Sequence, residues 1–157
     1  MWYMKPVRVT TDVPQPPERV FDYLDVMANH EPFTNHMLQD WEYSGTERGV
    51  GSKARVTVKA AGRTEKVDFE VIAADRPVRI VEQNVGAGGR RVATGTYTLE
   101  PLPGGGTRIA FEYAWTRAPL SERIAAPLVR TILRRGNQRA MTRLAEQLAT
   151  SEVAPVG

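Results

Sequence analysis

The fold is decided by residues 101–148, PLPGGGTRIAFEYAWTRAPLSERIAAPLVRTILRRGNQRAMTRLAEQL, which place a strand directly before a long helix. The Pro-Gly-Gly-Gly sequence at 103–106 signals a hairpin turn. Large apolar residues then alternate with other side chains as far as Trp115, a pattern that predicts a β-strand with one buried face. From residue 120 the alternation stops and apolar residues recur at helical spacing.

The predicted C-terminal helix covers residues 120–149 and carries two apolar stripes. The stripes comprise Ile124, Leu128 and Ile132, and Leu133, Ala140, Leu144 and Leu148. They are offset by about a third of a turn, and both Pro127 and Gly136 lie within the helix, so we expect it to bend. Ser121 is the predicted N-cap. Residues 150–157 are predicted to form a flexible tail.

Upstream of the hairpin, the sequence predicts a strand, two short helices and a series of further strands. The first strand covers residues 3–11, and Pro6 indicates a position at the edge of a sheet. A short helix over residues 16–27 begins at a proline pair, and a second short helix or turn lies within 28–37. A period of two then predicts strands at residues 40–43, 53–59, 66–71, 78–85 and 94–100.

This order of elements predicts an α+β fold. A curved antiparallel sheet of about seven strands would wrap around the long C-terminal helix, with two short helices after the first strand. We expect one domain over residues 1–149, a length that buries a substantial core. One helix rarely fills a strongly curved sheet, so we also expect an apolar cavity between them, the usual form of a ligand site.

Composition excludes several classes of function. The 157 residues include no cysteine, which excludes disulfides and thiolate chemistry. No apolar run reaches the roughly 18 residues of a membrane span, so we expect a cytoplasmic protein without stable membrane insertion. The sequence contains no phosphate-binding loop, zinc-protease motif or serine-hydrolase motif. We therefore expect no cofactor, no metal and, in the absence of a reading motif, no nucleic-acid partner.

Three segments together resemble a known family: PPERVFDYLDV at 16–26, the 101–115 hairpin and the helix of 118–148. They are similar to the polyketide cyclase/dehydrase branch of the START/Bet v 1-like (SRPBCC) superfamily, over roughly residues 3–149. The resemblance implies a helix-grip fold. Members of the superfamily bind lipids, sterols, polyketides or plant hormones, and some perform chemistry in the pocket, so the resemblance does not fix the function.

The residues expected to line the cavity are mostly large side chains on the apolar face of the sheet, with two from the helix. They are Phe33, Trp41, Tyr43, Val56, Phe69, Gln83, Tyr97, Phe111, Tyr113, Trp115, Leu128 and Ile132. Aromatic residues also fill ordinary cores, so the same pattern is compatible with a packed interior. Buried tyrosine hydroxyls and indole N–H groups would still need partners, which a ligand could provide.

Three residues are candidates for acid–base chemistry. His30 and His36 titrate near neutral pH and lie in one segment, where either could act as a base at the mouth of the cavity or simply cap the loop. Glu82 is in a strand whose two faces both mix polar and apolar residues. One face therefore puts a polar group, Glu82 or Gln83, inside the sheet, where it needs a partner or a ligand.

The last helix is basic. Seven arginines and one acid, Glu122, lie between residues 117 and 143; the arginines are Arg117, Arg123, Arg130, Arg134, Arg135, Arg139 and Arg143. Transient contact with an anionic membrane is one interpretation, and a solvated helix face is the other. The sequence leaves open whether the protein is a monomer or a homodimer.

Three functions remain open. The first is binding, for transport or sensing, of a hydrophobic small molecule such as a lipid, isoprenoid or polyketide. The second is a polyketide cyclase, aromatase or dehydratase acting in the same cavity, which the sequence favours less because it shows no paired catalytic groups. The third is an interaction protein that regulates a partner and has a filled core.

Overall fold

The computed structural model describes residues 3–60 and 62–153. Seven strands form one antiparallel sheet in the order β1-β7-β6-β5-β4-β3-β2. Their bounds are β1 Val7–Val13, β2 Leu38–Gly45, β3 Ser52–Ala60, β4 Arg63–Asp75, β5 Arg79–Gly86, β6 Arg91–Pro101 and β7 Thr107–Arg117. The predicted seven-stranded sheet and the edge position of the first strand are both confirmed, although that strand begins and ends later than the predicted 3–11.

Among the described residues, four α-helices and two 3₁₀ turns accompany the sheet. The helices are α1 Pro17–Leu24, α2 Glu31–Thr34, α3 Leu120–Ile124 and α4 Ala126–Val153, and the 3₁₀ turns are Met27–His30, before α2, and Ala87–Gly89, before β6. α1 begins at a proline, where the missing N–H leaves no bond unmade, and it buries Val20, Phe21 and Leu24. The two short helices therefore follow the first strand as predicted.

The C-terminal helix differs in detail from the prediction. It is interrupted at Ala125, which separates the short α3 from the long α4, and Pro127 lies in the first turn of α4 rather than at a bend inside it. Ser121 is not the N-cap, because α3 begins one residue earlier and Pro119 occupies the cap.

The end of the helix and its glycine also depart from expectation. α4 continues through Gly136 without a break and reaches Val153, beyond the predicted end at residue 149. Residues 154–157 of the predicted tail lie outside the described residues. Gly136 has a packing role, since a Cβ there would lie 3.0 Å from Met37 Sδ.

The inward face of α4 closes the core against the sheet. Ala140, Met141, Leu144 and Leu148 are buried there and share one hydrophobic cluster with residues from α1, α2 and the strands. Other side chains of α4 donate hydrogen bonds to backbone carbonyls of β1 and of the residues just before it; the donors are Arg130, Arg134 and Gln138. The acceptors are Lys5 O at 2.9 Å, Pro6 O at 3.0 Å, Arg8 O at 3.4 Å and Thr10 O at 3.2 Å. These side chains cover an otherwise open sheet edge.

Candidate functional site

The site is built around β5, whose orientation the sequence left open. The structure turns Ile80, Glu82 and Asn84 toward α4, and all three are buried. Glu82 and Asn84 are only 5% and 6% exposed. Gln83 points to the opposite face and is half-buried. Contrary to the prediction, it therefore does not line the interior.

Two rows of side chains cross the sheet at this level, each with a small residue in the middle. Glu82 pairs with Gly95, which pairs with Tyr113, and Asn84 pairs with Ala93, which pairs with Trp115. We call these six residues the central rows. A Cβ at Gly95 would lie 2.8 Å from the Phe111 ring and 3.2 Å from Glu82 Oε1. Glycine therefore allows the carboxyl group and the ring to approach the strand closely.

Polar atoms of the central rows lack partners among the described residues. The Oδ1 atom of Asn84 and the Nε1 atom of Trp115 are buried without a hydrogen bond, as is the Nδ2 atom of Asn137 on α4. The Glu82 carboxyl makes no hydrogen bond or ion pair within the described chain either. Native proteins leave few buried polar groups unsatisfied, and each one calls for an explanation.

The environment of Glu82 changes its titration. Burial raises the pKa of this carboxyl to about 7, because the charged form loses its hydration and gains no counter-charge. Its neighbours Tyr97 and Tyr113 are also shifted, chiefly because burial raises the pKa of each phenol, and the nearby Glu82 charge raises it further. At neutral pH Glu82 is therefore able both to donate and to accept a proton.

Arg91, a cation close enough to Tyr113 to affect its pKa, is already neutralised. Arg91 on β6 donates to Glu65 on β4 and to Glu122 on α3, with its Nε 2.9 Å from Glu122 Oε1. Burial lowers the pKa of Arg91, but the hydrogen bonds with Glu122 and Glu65 outweigh this and raise it overall. This ion-pair cluster fastens α3 to the sheet and offers no spare positive charge to the interior.

His30 lies in the core and not at the mouth of a cavity. Its Nε2 lies 2.7 Å from Leu24 O, and its ring contacts those of Phe33 and Tyr97, with centroids 5.3 and 5.6 Å away. Since a carbonyl only accepts, Nε2 carries the proton. Burial lowers the pKa of His30 to about 4, so the ring is neutral at physiological pH and joins the 3₁₀ turn to α1.

His36 connects the segment after α2 to the last helix. Its Nε2 donates to Gly136 O over 2.9 Å, and its Nδ1 accepts from Arg143 over 3.3 Å. Burial and the charges of Arg139 and Arg143 lower the pKa of this ring. These bonds assign His36 to holding α4 against the α2–β2 corner.

Five of the predicted lining residues belong to the hydrophobic core itself: Phe33, Val56, Phe69, Tyr97 and Phe111. Trp41 and Tyr113 are partly buried against the same cluster. Trp115 contacts Tyr113 edge to face, at 4.9 Å between centroids. The structure thus brings most of the predicted aromatic residues together on the concave face.

Tyr43 lies at the β2 end of the concave face, because it pairs with Ala54, which in turn pairs with the core residue Phe69. It is 45% exposed there, stacks on Trp41, and donates its hydroxyl to Glu31 Oε1 at 2.5 Å. Two other predicted lining residues face away from the interior. Leu128 and Ile132 are corrected outright: Leu128 is 62% exposed, and Ile132 lies on the same outer side of α4. The physical reason is that Arg130 and Arg134 anchor the opposite side of this helical segment to β1.

Two surface depressions lie outside the space between the sheet and α4. One, of about 570 Å³, is formed by residues 88–90 and 117–120. The other, of about 530 Å³, is a groove lined largely by charged and polar residues of β2 to β5, among them Lys53, Asp68 and Gln83. Neither has the unpartnered buried groups of the central rows.

Sequence reasoning missed Asn84, Gly95 and the Arg91 cluster. A glycine inside an otherwise alternating strand indicates that other groups approach the strand closely. Gly95 could therefore have been identified from the sequence. The Arg91 cluster joins residues far apart in the chain, and no local pattern marks it. Within residues 3–60 and 62–153, no three acidic or histidine side chains are arranged to hold a metal ion. Among the helices described, none has the length and apolar character to cross a membrane.

The fold and the sequence place the chain in a family. Residues 4–149 match the family described as polyketide cyclase / dehydrase and lipid transport, and the chain belongs to it. Its architecture is the polyketide cyclase/dehydrase-like, hydrophobic ligand-binding fold. The sequence matches no curated protein.

Solved structures share the architecture at low identity. The Zhui aromatase/cyclase from Streptomyces sp. R1128 has a TM-score of 0.77 at 14% identity, with 96% of each chain covered. A protein of Thermus thermophilus has a TM-score of 0.73 at 18% identity, covering 94% of this chain and 99% of its own. A Mesorhizobium loti protein has a TM-score of 0.66 at 20% identity, covering 94% and 98%.

Proposed function

We propose that the protein binds a hydrophobic small molecule between the sheet and α4, with the central rows as its polar contact surface. The observation that carries the proposal is the pair of buried, unpartnered polar atoms on Asn84 and Trp115 beside the buried carboxyl of Glu82. Unmade hydrogen bonds of this kind cost stability, and a bound molecule would complete them. The surrounding aromatic and aliphatic side chains provide the apolar contact area.

Native mass spectrometry of the freshly purified protein, with organic extraction of bound material, tests this proposal. We expect a discrete added mass, or, if the protein purifies empty, saturable uptake of the neutral fluorescent probe N-phenyl-1-naphthylamine. Asn84→Leu should weaken uptake because it removes the free acceptor oxygen that could bind the N–H of the probe. Gln83→Leu, on the outer face, should leave uptake unchanged. A protein without added mass and without uptake would contradict the proposal.

Catalysis in the same site is a second candidate function, and the position of Glu82 favours it. A buried carboxyl that titrates near pH 7 suits proton transfer to or from a carbon or oxygen of a bound molecule. The family description and the aromatase/cyclase with the same fold suggest a polyketide-like molecule as the class to try. Formation of an aromatic product, followed by absorbance, should require Glu82 and be lost in Glu82→Gln. Binding without any product would leave the carrier function alone.

A further inference from the structure

The charges around the central rows define which kind of apolar ligand they accept. Glu82 is the ionisable carboxyl inside, and it has no cationic partner among the described residues. His30 is neutral near pH 7, and Arg91 is held between two carboxylates. Arg123, half-buried on α3, is engaged in an interaction of its own. Tyr97 and Tyr113, which face Glu82 from β6 and β7, stay protonated because burial raises the pKa of each phenol.

We propose that the site takes an uncharged ligand bearing a hydroxyl, carbonyl or amide group, and rejects the corresponding carboxylate. The inference rests on the proposed function and specifies its ligand class. A neutral polar group has partners of both kinds here: Trp115 Nε1 donates, and Asn84 Oδ1 accepts. A carboxylate would meet an unpaired carboxyl and an acceptor oxygen, and no cation is available to it among the described residues. A buried unpaired charge is strongly unfavourable.

Matched ligands test the discrimination directly. Dodecanamide and dodecanoate have the same size and shape and differ in charge at pH 8, as do 2-naphthamide and 2-naphthoate. Each would be used to displace N-phenyl-1-naphthylamine from the intact protein. We expect at least one amide to compete ten-fold or more better than its carboxylate.

Two variants identify the source of the preference. Glu82→Gln removes the interior charge at nearly constant shape. The factor by which the amide competes better than its carboxylate should therefore fall several-fold. Gln83→Glu places a new charge one residue away on the outer face and should leave the ratio unchanged. Equal effects of the two variants would show that the preference arises outside the central rows.

The outcomes separate this inference from the proposed function. Equal or better competition by the carboxylates would overturn the inference while probe uptake still supports ligand binding. Probe uptake without displacement by either amide would also overturn it, because free donor and acceptor groups should hold an amide. Absence of probe uptake and of any bound molecule would contradict the proposed function, and the inference with it.

Discussion

At the scale of single residues, replacing Asn84 should change protein stability and ligand binding in opposite directions. Its carbonyl oxygen is buried without a partner, which costs about 1–3 kcal/mol, and leucine has a similar size. We therefore expect Asn84→Leu to raise the free energy of unfolding by about 1 kcal/mol or more. The same change should weaken uptake of ligands that need a hydrogen-bond acceptor.

Urea unfolding and probe titration on the same preparations measure the two effects. Gln83→Leu is the matched control, since it removes an amide from the outer face and should change binding little. A loss of stability in Asn84→Leu would mean that Asn84 has a structural partner, and that the central rows are part of an ordinary core.

The sequence predicted residue types on β5 but not their direction. In VRIVEQNV both alternating sets contain polar and apolar side chains, so periodicity alone could not tell Glu82 from Gln83. The direction is fixed by long-range pairing, in which Glu82 lies opposite Val71 on one neighbouring strand and Gly95 on the other. The face occupied by the aromatic residues of β7 could be predicted, because their alternation along the strand is regular.

At the scale of elements, the basic helix serves as a cover for the sheet edge. Arg130 donates to two carbonyls, Lys5 O and Pro6 O. Arg130→Met keeps most of the apolar stem but loses both bonds, so we expect a loss of about 1–2 kcal/mol in the free energy of unfolding and faster amide exchange in β1. Arg135→Met, on an exposed turn of the same helix, should change stability by less than about 0.5 kcal/mol.

Urea unfolding and hydrogen exchange of β1 amides compare the two arginine variants. Equal effects would show that the helix charge matters and the edge contacts do not. The sequence predicted both the helix and its two apolar stripes, but it could not show which stripe faces the sheet. The anchoring of Arg130 and Arg134 to β1 decides that, and it turns Leu128 and Ile132 outward.

At the scale of the whole molecule, two buried groups have opposite effects on stability as pH changes. Glu82 holds its proton in the folded state up to about pH 7 but loses it near 4.5 when unfolded, so its contribution decreases as pH rises between these values. His30 stays neutral in the folded state down to about pH 4 but takes up a proton below 6.5 when unfolded. Its contribution therefore decreases as pH falls.

Between pH 4.5 and 6.5 these two effects cancel, because the folded state binds one proton at Glu82 and the unfolded state one at His30. Asp25, whose pKa is raised by burial, adds to the Glu82 effect, and His36, whose pKa is lowered by burial, adds to that of His30. The carboxyls of Asp12, Asp22 and Asp68 have a pKa lowered by hydrogen bonds to arginines, so they act below about pH 4.

We therefore expect a nearly flat stability profile from pH 4.5 to 6.5 in the wild type and a sloping one in Glu82→Gln. Without the Glu82 proton, only the unfolded state gains a proton in this range, so stability should fall by up to about 1.4 kcal/mol for each unit of decreasing pH. Urea unfolding at about pH 5 and about pH 6, both inside the window that the two pKa values define, measures the difference, and Gln83→Glu is the control with an ionisable group on the outer face. Parallel profiles for wild type and Glu82→Gln would show that Glu82 is ionised in the folded protein across this range. The raised pKa of Glu82 would then be wrong, and the proton-transfer role considered for this carboxyl would lose its physical basis.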